Sequence, residues 1–195
     1  MTSGGNGGAW GLNEHLKLYG KNFNNGVAEF IVKEIKPTSL LEFGCGVGWY
    51  CDYISEQGTN PVHGVEPEPM DPECFKNEGC EQFCFDATTQ EEPDGMLEHY
   101  DMVLSLEVME HIPREHHTKM FDYLASKKPR VVLFSGARPG QGGHGHIAER
   151  PEKEWISEWE SRGYKKDLVL TQKARNSCNR RNTNHIRNIN IYLSE

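Results

Sequence analysis

Apolar residues recur along the chain in two alternating patterns, one typical of helices and one typical of buried strands. Helical spacing, often followed by a glycine or proline that stops a helix, marks four segments: 23–35, 49–57, 115–126 and 151–162. Short apolar runs typical of strands mark five more: 39–43, 61–65, 82–85, 100–106 and 130–135. Two closing runs, 166–171 and 188–193, are also predicted to be extended.

Strands that alternate with helices predict the α/β fold class. Each connecting helix returns the chain to the same end of the sheet, so the strands become mostly parallel and helices cover both faces. We therefore predict a three-layer sandwich with a mostly parallel, seven-stranded sheet, in which the closing runs add an antiparallel edge strand. Residues 23–195 would form this single domain, and residues 1–22, whose first eight are Gly/Ser/Asn-rich, a flexible lead segment.

Composition and charge narrow the functional classes. A chain of 195 residues suits one domain, and 36% hydrophobic and 26% charged residues are typical of globular proteins. No apolar run is long enough to span a bilayer and no secretory pattern opens the chain, so we predict a cytoplasmic protein without a membrane partner. The net charge of −8 disfavours a broad nucleic-acid surface, because phosphate binding relies on clustered Lys and Arg.

One local basic stretch departs from this acidic balance. It contains four arginines: Arg175, Arg180, Arg181 and Arg187. Such a run is usually a solvated edge, but it is also consistent with a rim that attracts an anionic substrate.

A glycine-rich turn follows the first predicted strand, in the sequence LLEFGCGVG. Gly44, Gly46 and Gly48 let the backbone turn sharply and let a ligand approach the peptide plane closely. Glu66 closes the next predicted strand, about 20 residues beyond the turn, where a carboxylate accepts hydrogen bonds from both ribose hydroxyls of a nucleotide. This combination indicates the nucleotide-binding edge of a Rossmann-like fold.

The turn resembles motif I of the class I S-adenosylmethionine-dependent methyltransferases. Its spacing is G-x-G-x-G with Glu42 two residues ahead, whereas dinucleotide oxidoreductases usually carry G-x-G-x-x-G. The resemblance continues through Glu66, through Asp86-Ala87 and through the fourth-strand motif YDMVLSLE. It covers about residues 40–135 and implies S-adenosylmethionine as the cofactor.

The resemblance also implies roles for individual residues. The acid and glycines of motif I would hold the amino-acid end of S-adenosylmethionine, Glu66 its ribose, and Asp86-Ala87 would flank its adenine. The lead segment 1–22 would cover the cofactor. The cofactor-binding residues implied are Glu42, Gly44, Gly46, Gly48, Glu66, Asp86, Ala87 and Ser105.

Acids and histidines follow the fourth and fifth predicted strands. In the element EVMEH, a helical backbone would place Glu107, Glu110 and His111 on one face, at i, i+3 and i+4. The loop GQGGHGH follows the fifth strand, and in an extended backbone its His144 and His146 would point the same way. Because the carboxyl ends of parallel strands meet at one edge, we predict that the two segments converge beside the cofactor.

Three interpretations of these residues remain open. The E-x-x-E-H element with a later loop histidine resembles two groups of metal-dependent O-methyltransferases, one acting on the 3′-terminal ribose of small RNAs and one on catechol intermediates of ubiquinone biosynthesis. That resemblance implies a divalent ion, Mg²⁺ or Mn²⁺ rather than Zn²⁺ or Fe²⁺, held by Glu107, Glu110, His111 and either His144 or His146. Alternatively, His144 or His146 is a metal-free general base, or the histidines are structural.

The function expected from the sequence is O-methylation of a hydroxyl on a small molecule or carbohydrate, with His144, His146 and Glu107 as catalytic residues. The reaction would be a displacement at the sulfonium methyl, and the protein would mainly align acceptor oxygen, methyl carbon and leaving sulfur. An RNA 2′-O-methyltransferase and a catalytically silent, methyltransferase-like binding domain are the alternatives. The sequence does not indicate an oligomeric state.

Overall fold

A parallel sheet brings the carboxyl ends of its strands together at one edge of the protein. A computed structural model describes residues 23–67, 80–179 and 187–195. Within these ranges seven strands form one sheet in the order β3-β2-β1-β4-β5-β7-β6. They are β1 Leu40–Phe43, β2 Val62–Glu66, β3 Cys80–Cys84, β4 Met102–Leu106, β5 Val131–Ser135, β6 Tyr164–Lys166 and β7 Asn190–Ser194.

The strand directions confirm the predicted fold class. Strands β3, β2, β1, β4 and β5 are all parallel, whereas β7 is antiparallel to both of its neighbours, β5 and β6. Chain order reverses at β1, since β2 and β3 lie on one side of it and β4 and β5 on the other. In open α/β sheets such a reversal opens a crevice at the carboxyl ends of the strands.

Helices cover both faces of the sheet. Their bounds are α1 Asn25–Phe30, continued by a π-helical turn at Ile31–Ile35, α2 Trp49–Glu56, α3 His117–Ser126, α4 Glu152–Glu160 and α5 Leu168–Ser177. Two 3₁₀ turns, Met109–His111 and Arg114–His116, lie between β4 and α3. None of the helices in the described ranges is long and apolar enough to cross a membrane.

The two faces of the sheet form two separate cores. Successive strand residues alternate between them: Leu40 packs with α1, α2 and α5, whereas Leu41 packs with α3 and α4. Trp155 and Trp159 of α4 are buried against the sheet, so this helix packs through its aromatic face. Trp49, at the start of α2, is 37% exposed.

The predicted extended run 166–171 is wrong. Strand β6 ends at Lys166, and Asp167 begins α5 by accepting a hydrogen bond from the Leu170 amide at 2.8 Å. The apolar pair that suggested a strand, Leu168 and Val169, lies exposed in the first turn of the helix. An N-terminal cap therefore decides the conformation here, and hydrophobicity does not.

Removing this cap is expected to weaken the fold. We predict that Asp167→Ala lowers the free energy of unfolding by about 1 kcal/mol, because it leaves the Leu170 amide without its partner. Asp167→Asn keeps an acceptor at that position and should cost much less. Urea denaturation of both variants checks this, and equal losses in the two would contradict the capping role.

Candidate functional site

The turns after β1 and β4 meet at the reversal point of the sheet. A Cβ atom on Gly44 would lie 2.4 Å from Cγ2 of Val108, so only glycine permits this approach without displacing Val108. The turn after β1 therefore packs directly against the segment that carries Glu107 and Glu110. This brings the predicted cofactor side and the predicted acceptor side into one region.

The glycine turn is tied to the end of β2. Gly44, Gly46 and Gly48 have φ values of 76°, 53° and 75°, in the left-handed region that favours glycine. The Gly46 amide donates to Oε2 of Glu66 at 3.0 Å, and the Glu66 side chain is buried. Glu66 is thus held against the turn at the place where a nucleotide's ribose is expected.

Glu42 is a buried acid beneath this turn. Its Oε2 accepts hydrogen bonds from the Cys51 amide at 3.1 Å and from the Cys51 thiol at 2.9 Å. Burial raises the pKa of Glu42 to about 8, the hydrogen bonds from Cys51 oppose this, and the nearby Glu66 adds to it. Glu42 is therefore largely protonated at neutral pH in the ligand-free protein.

This shift makes stability depend on pH. The pKa of Glu42 rises from its ordinary value of 4.5, which applies to the unfolded chain, to about 8 in the folded protein. Folding therefore favours the protonated form, and the free energy of unfolding falls as pH rises between these two values. Glu42→Gln has no carboxyl group to titrate, so we expect its stability to stay constant over this pH range. The difference in free energy of unfolding between the variant and the unmutated protein should therefore shift in favour of the variant by up to about 1.4 kcal/mol for each pH unit. Urea denaturation at pH 5 and pH 8 measures the difference, and a difference independent of pH would contradict it.

The remaining predicted cofactor residues have the following positions. Asp86 follows β3, and its Oδ1 accepts hydrogen bonds from the amide and the hydroxyl of Thr88, which fixes the turn at that point. Ala87 beside it is buried. Ser105 is fully buried within β4, and its hydroxyl has no hydrogen-bond partner among the described residues. Their cofactor roles stay predictions.

The acid-rich element after β4 is not a regular helix, so the expectation that Glu107, Glu110 and His111 share a helical face is wrong. Glu107 has φ of 54°, and its amide donates to the carbonyl and hydroxyl oxygens of Ser135 at 3.1 and 3.0 Å. This attachment to β5 holds Glu107 out of helical geometry. The 3₁₀ turn that follows, Met109–His111, carries the other two side chains.

Glu110, His111 and His146 nevertheless converge. One potential ligand atom of each lies within 4.8 Å of the others, and Oε1 of Glu110 is 3.9 Å from Nε2 of His146. Glu110 is fully buried, with the Ala137 amide and the Glu107 carboxyl group beside its carboxyl oxygens but no hydrogen bond of ordinary geometry among the described residues. Burial and the neighbouring Glu107 carboxylate raise the pKa of Glu110 well above its ordinary value. We call these three residues the acid–histidine cluster.

Hydrogen bonds fix which nitrogen of each histidine carries the proton. Nδ1 of His111 lies 3.1 Å from the Gly145 carbonyl, which only accepts, so Nδ1 donates and the lone pair is on Nε2. Nδ1 of His146 lies 3.2 Å from Oε1 of Glu149 and is assigned in the same way. Burial lowers the pKa of His111 to about 4, helped by His146, so that His111 is neutral near pH 7. Imidazoles that donate from Nδ1 in this way direct Nε2 toward a cation or a proton.

The glycine-rich loop is shaped around His146. Glu149 accepts hydrogen bonds from the amides of Gly140 and Gly142, both at 2.8 Å, and so folds the loop back. A Cβ atom on Gly143 would lie 2.3 Å from Nε2 of His146, so a larger residue there would displace the ring. His144, the other candidate in this loop, is exposed and lies outside the cluster.

Comparisons with known proteins identify the family. Residues 15–169 match the family model described as a methyltransferase domain. The chain belongs to this methyltransferase family. Its fold is that of the class I S-adenosylmethionine-dependent enzymes, as the resemblance of the glycine turn predicted.

Individual relatives of this methyltransferase are distant. Norajmaline N-methyltransferase of Rauvolfia serpentina is 28% identical in an alignment of 111 positions that covers 52% of this chain and 37% of that protein. A sugar N-methyltransferase from Streptoalloteichus superposes over 100% of this chain and 97% of its own with a TM-score of 0.70 at 13% identity. The magnesium protoporphyrin IX methyltransferase of Synechocystis, solved with bound S-adenosylhomocysteine, covers 88% and 81% with a TM-score of 0.63 at 17% identity.

Some residues of the methyltransferase site were not predicted from the sequence. Gln141 and Asn188 are two of them: their side-chain amides donate to Glu107 at 2.6 and 3.1 Å. Glu107 itself, a predicted ligand, lies beside the cluster of three without belonging to it. His117 donates to the carbonyls of Met109 and Ile112, both at 2.9 Å, and so supports the 3₁₀ turn from below. Asn188 and Glu107 are 81 positions apart in sequence, so no local pattern signals their contact.

Other predicted segments lie outside the described residues. They are the lead segment 1–22 with its proposed cofactor-covering role, and the two arginines Arg180 and Arg181. The other two arginines of that stretch, Arg175 and Arg187, are described and lie near β7.

Proposed function

We propose that this methyltransferase transfers the methyl group of S-adenosylmethionine to a hydroxyl of a small molecule or carbohydrate that binds at the acid–histidine cluster. The observation that supports this most is the buried Glu110 carboxyl group. Its oxygens make no hydrogen bond of ordinary geometry among the described residues, and it lies beside His111 and His146. A buried polar group in this state is costly unless a ligand or cation completes it.

The cofactor would occupy the crevice next to this cluster. Glu66 would accept hydrogen bonds from the ribose hydroxyls, and the turn from Gly44 to Gly48 would lie against the amino-acid end. Because Gly44 packs against Val108, the cofactor-binding turn lies close to the acid–histidine cluster. The sulfonium methyl would thus face the acceptor bound over Glu110 and His146.

The acceptor proton needs a base. In the transfer the acceptor oxygen forms a bond to the methyl carbon, the carbon–sulfur bond breaks, and its electron pair stays on sulfur to give S-adenosylhomocysteine. We assign the departing proton to Nε2 of His146, because the hydrogen bond from Nδ1 to Glu149 stabilises the resulting imidazolium. Alignment of oxygen, carbon and sulfur supplies most of the remaining acceleration.

The same three residues fit a divalent cation. One carboxylate and two imidazoles suit Mn²⁺, Fe²⁺ or Zn²⁺ better than Mg²⁺, because Glu107 lies outside the set and the remaining ligands are richer in nitrogen. A bound cation would lower the pKa of the acceptor hydroxyl. Glu107, held by Gln141 and Asn188, would then remain beside the acceptor as an additional carboxylate.

Two of the three relatives named above are N-methyltransferases, so the choice of oxygen needs its own support. Amines are nucleophilic when neutral, whereas a hydroxyl gains much more from a base or a cation. The acid–histidine cluster offers both, and this favours a hydroxyl acceptor. The net charge of −8 disfavours RNA as the acceptor. The intact glycine turn and its contact with Glu66 disfavour a catalytically silent domain.

Transfer of a labelled methyl group from S-adenosylmethionine tests the proposal. Small acceptors would be offered as matched pairs that differ only in hydroxyl or amine, with the protein stripped of metal and then supplied with Mn²⁺, Zn²⁺ or Mg²⁺. We expect label in the hydroxyl member of a pair. Turnover that requires an added cation supports the cation-bound form, and turnover that persists with chelator supports His146 as the base. Label confined to amines would overturn the choice of oxygen.

A further inference from the structure

A group of cations surrounds Glu152 on the acceptor side of the sheet. Its carboxylate is 3.0 Å from a terminal guanidinium nitrogen of Arg138, 3.2 Å from Nζ of Lys166 and 3.2 Å from a terminal nitrogen of Arg175. Among the described residues Glu152 is the one carboxylate paired with these three cations, so two positive charges remain without an acidic partner there. In a protein of net charge −8 this local surplus needs an explanation.

The cation group adjoins the acceptor site. The Arg138 side chain donates to the carbonyl of Arg187, and the next residue, Asn188, contacts both Glu107 and Gln141. This chain of contacts places the cation group next to the acceptor site.

The cations around Glu152 have N–H groups that do not contact Glu152. Arg138 contacts Glu152 and the Arg187 carbonyl through one terminal nitrogen, and its buried Nε has no hydrogen-bond partner among the described residues. The side chains of Arg138, Lys166 and Arg175 are 35%, 16% and 25% exposed, so they remain accessible to a ligand while partly shielded from water. Charge-assisted hydrogen bonds are strong in such surroundings.

We propose that Arg138, Lys166 and Arg175 bind an oxyanion group, a carboxylate or a phosphate, carried by the methyl acceptor. The acceptor is then a hydroxylated acid or a phosphorylated hydroxy compound, with its hydroxyl over His146 and its anionic group near Glu152. This rests on the proposed function and names its substrate class. The anion would take the two positive charges that Glu152 leaves unpaired.

Calorimetric titration of inorganic phosphate and of acetate into protein loaded with S-adenosylhomocysteine tests this subsite. We expect saturable binding of at least one anion, weakened about tenfold in Arg138→Gln. Lys33→Gln removes one exposed positive charge elsewhere and is the matched control; it should change binding by less than about twofold. Stronger phosphate than acetate binding selects phosphorylated acceptors, and the reverse selects carboxylated ones.

A second variant guards against misfolding of Arg138→Gln. Glu152→Gln enlarges the positive surplus and should tighten anion binding about threefold. No saturable binding of either anion, or equal weakening in Arg138→Gln and Lys33→Gln, would overturn the proposal. Binding of S-adenosylhomocysteine in the loading step separates this failure from failure of the methyltransferase function itself.

Discussion

Glu66→Gln is expected to weaken binding of S-adenosylhomocysteine by about 100-fold, because it removes the charge from two hydrogen bonds to the ribose hydroxyls. The amide oxygen of Gln still accepts from the Gly46 amide, so the glycine turn keeps its position. The loss should therefore appear in affinity and not in folding. Calorimetric titration of the nucleoside into both proteins measures it.

The matched control for this variant is Glu56→Gln. Glu56 ends α2, is exposed, and carries the same charge without facing the crevice. It should bind the nucleoside within about twofold of the unmutated protein. If Glu66→Gln binds equally well, the cofactor does not occupy the position assigned to it at the end of β2.

Glu110→Gln is expected to lower methyl transfer by about 10²- to 10⁴-fold while leaving nucleoside affinity unchanged. Because burial and the neighbouring Glu107 carboxylate raise the pKa of Glu110 and so favour its neutral form, a neutral amide of similar shape replaces it at little cost to folding. What is lost is the ability to become a carboxylate when an acceptor or a cation arrives. The rate is measured as steady-state transfer of a labelled methyl group, and the affinity by calorimetric titration of S-adenosylhomocysteine.

His99→Ala is the control for Glu110→Gln, because it removes a titratable side chain outside the acid–histidine cluster. His99 is 48% exposed and lies before β4, away from the carboxyl edge of the sheet, so its replacement should leave turnover within about twofold. Turnover of Glu110→Gln within threefold of the unmutated protein would show that the acid–histidine cluster is not where the acceptor reacts.

Much of the fold follows from local patterns in the sequence. Strands β1 and β4 are buried on both faces and therefore need hydrophobic residues at nearly every position, and that signal is strong over four or five residues. The run at 166–171 shows the limit of this reasoning. Leu168 and Val169 look like strand residues, but the cap at Asp167 starts a helix and leaves both exposed.

The site was predictable where function is encoded in consecutive residues and less so where it depends on distant contacts. The glycine turn and Glu66 came from spacing alone, and the structure brings them together. For Glu110 and His146 the sequence indicated convergence, but it assumed a helix that the attachment of Glu107 to Ser135 prevents. Asn188 reaches Glu107 across the sheet, which only the strand order reveals.

The most direct measurement is calorimetric titration of S-adenosylhomocysteine into metal-stripped protein, followed by Mn²⁺, Zn²⁺ and Mg²⁺ titrated separately into the complex. We expect saturable binding of the nucleoside, and heat from Mn²⁺ or Zn²⁺ that disappears in Glu110→Gln. Nucleoside binding without any cation heat would leave His146 as the base. Absence of nucleoside binding would contradict the assignment of this crevice to S-adenosylmethionine.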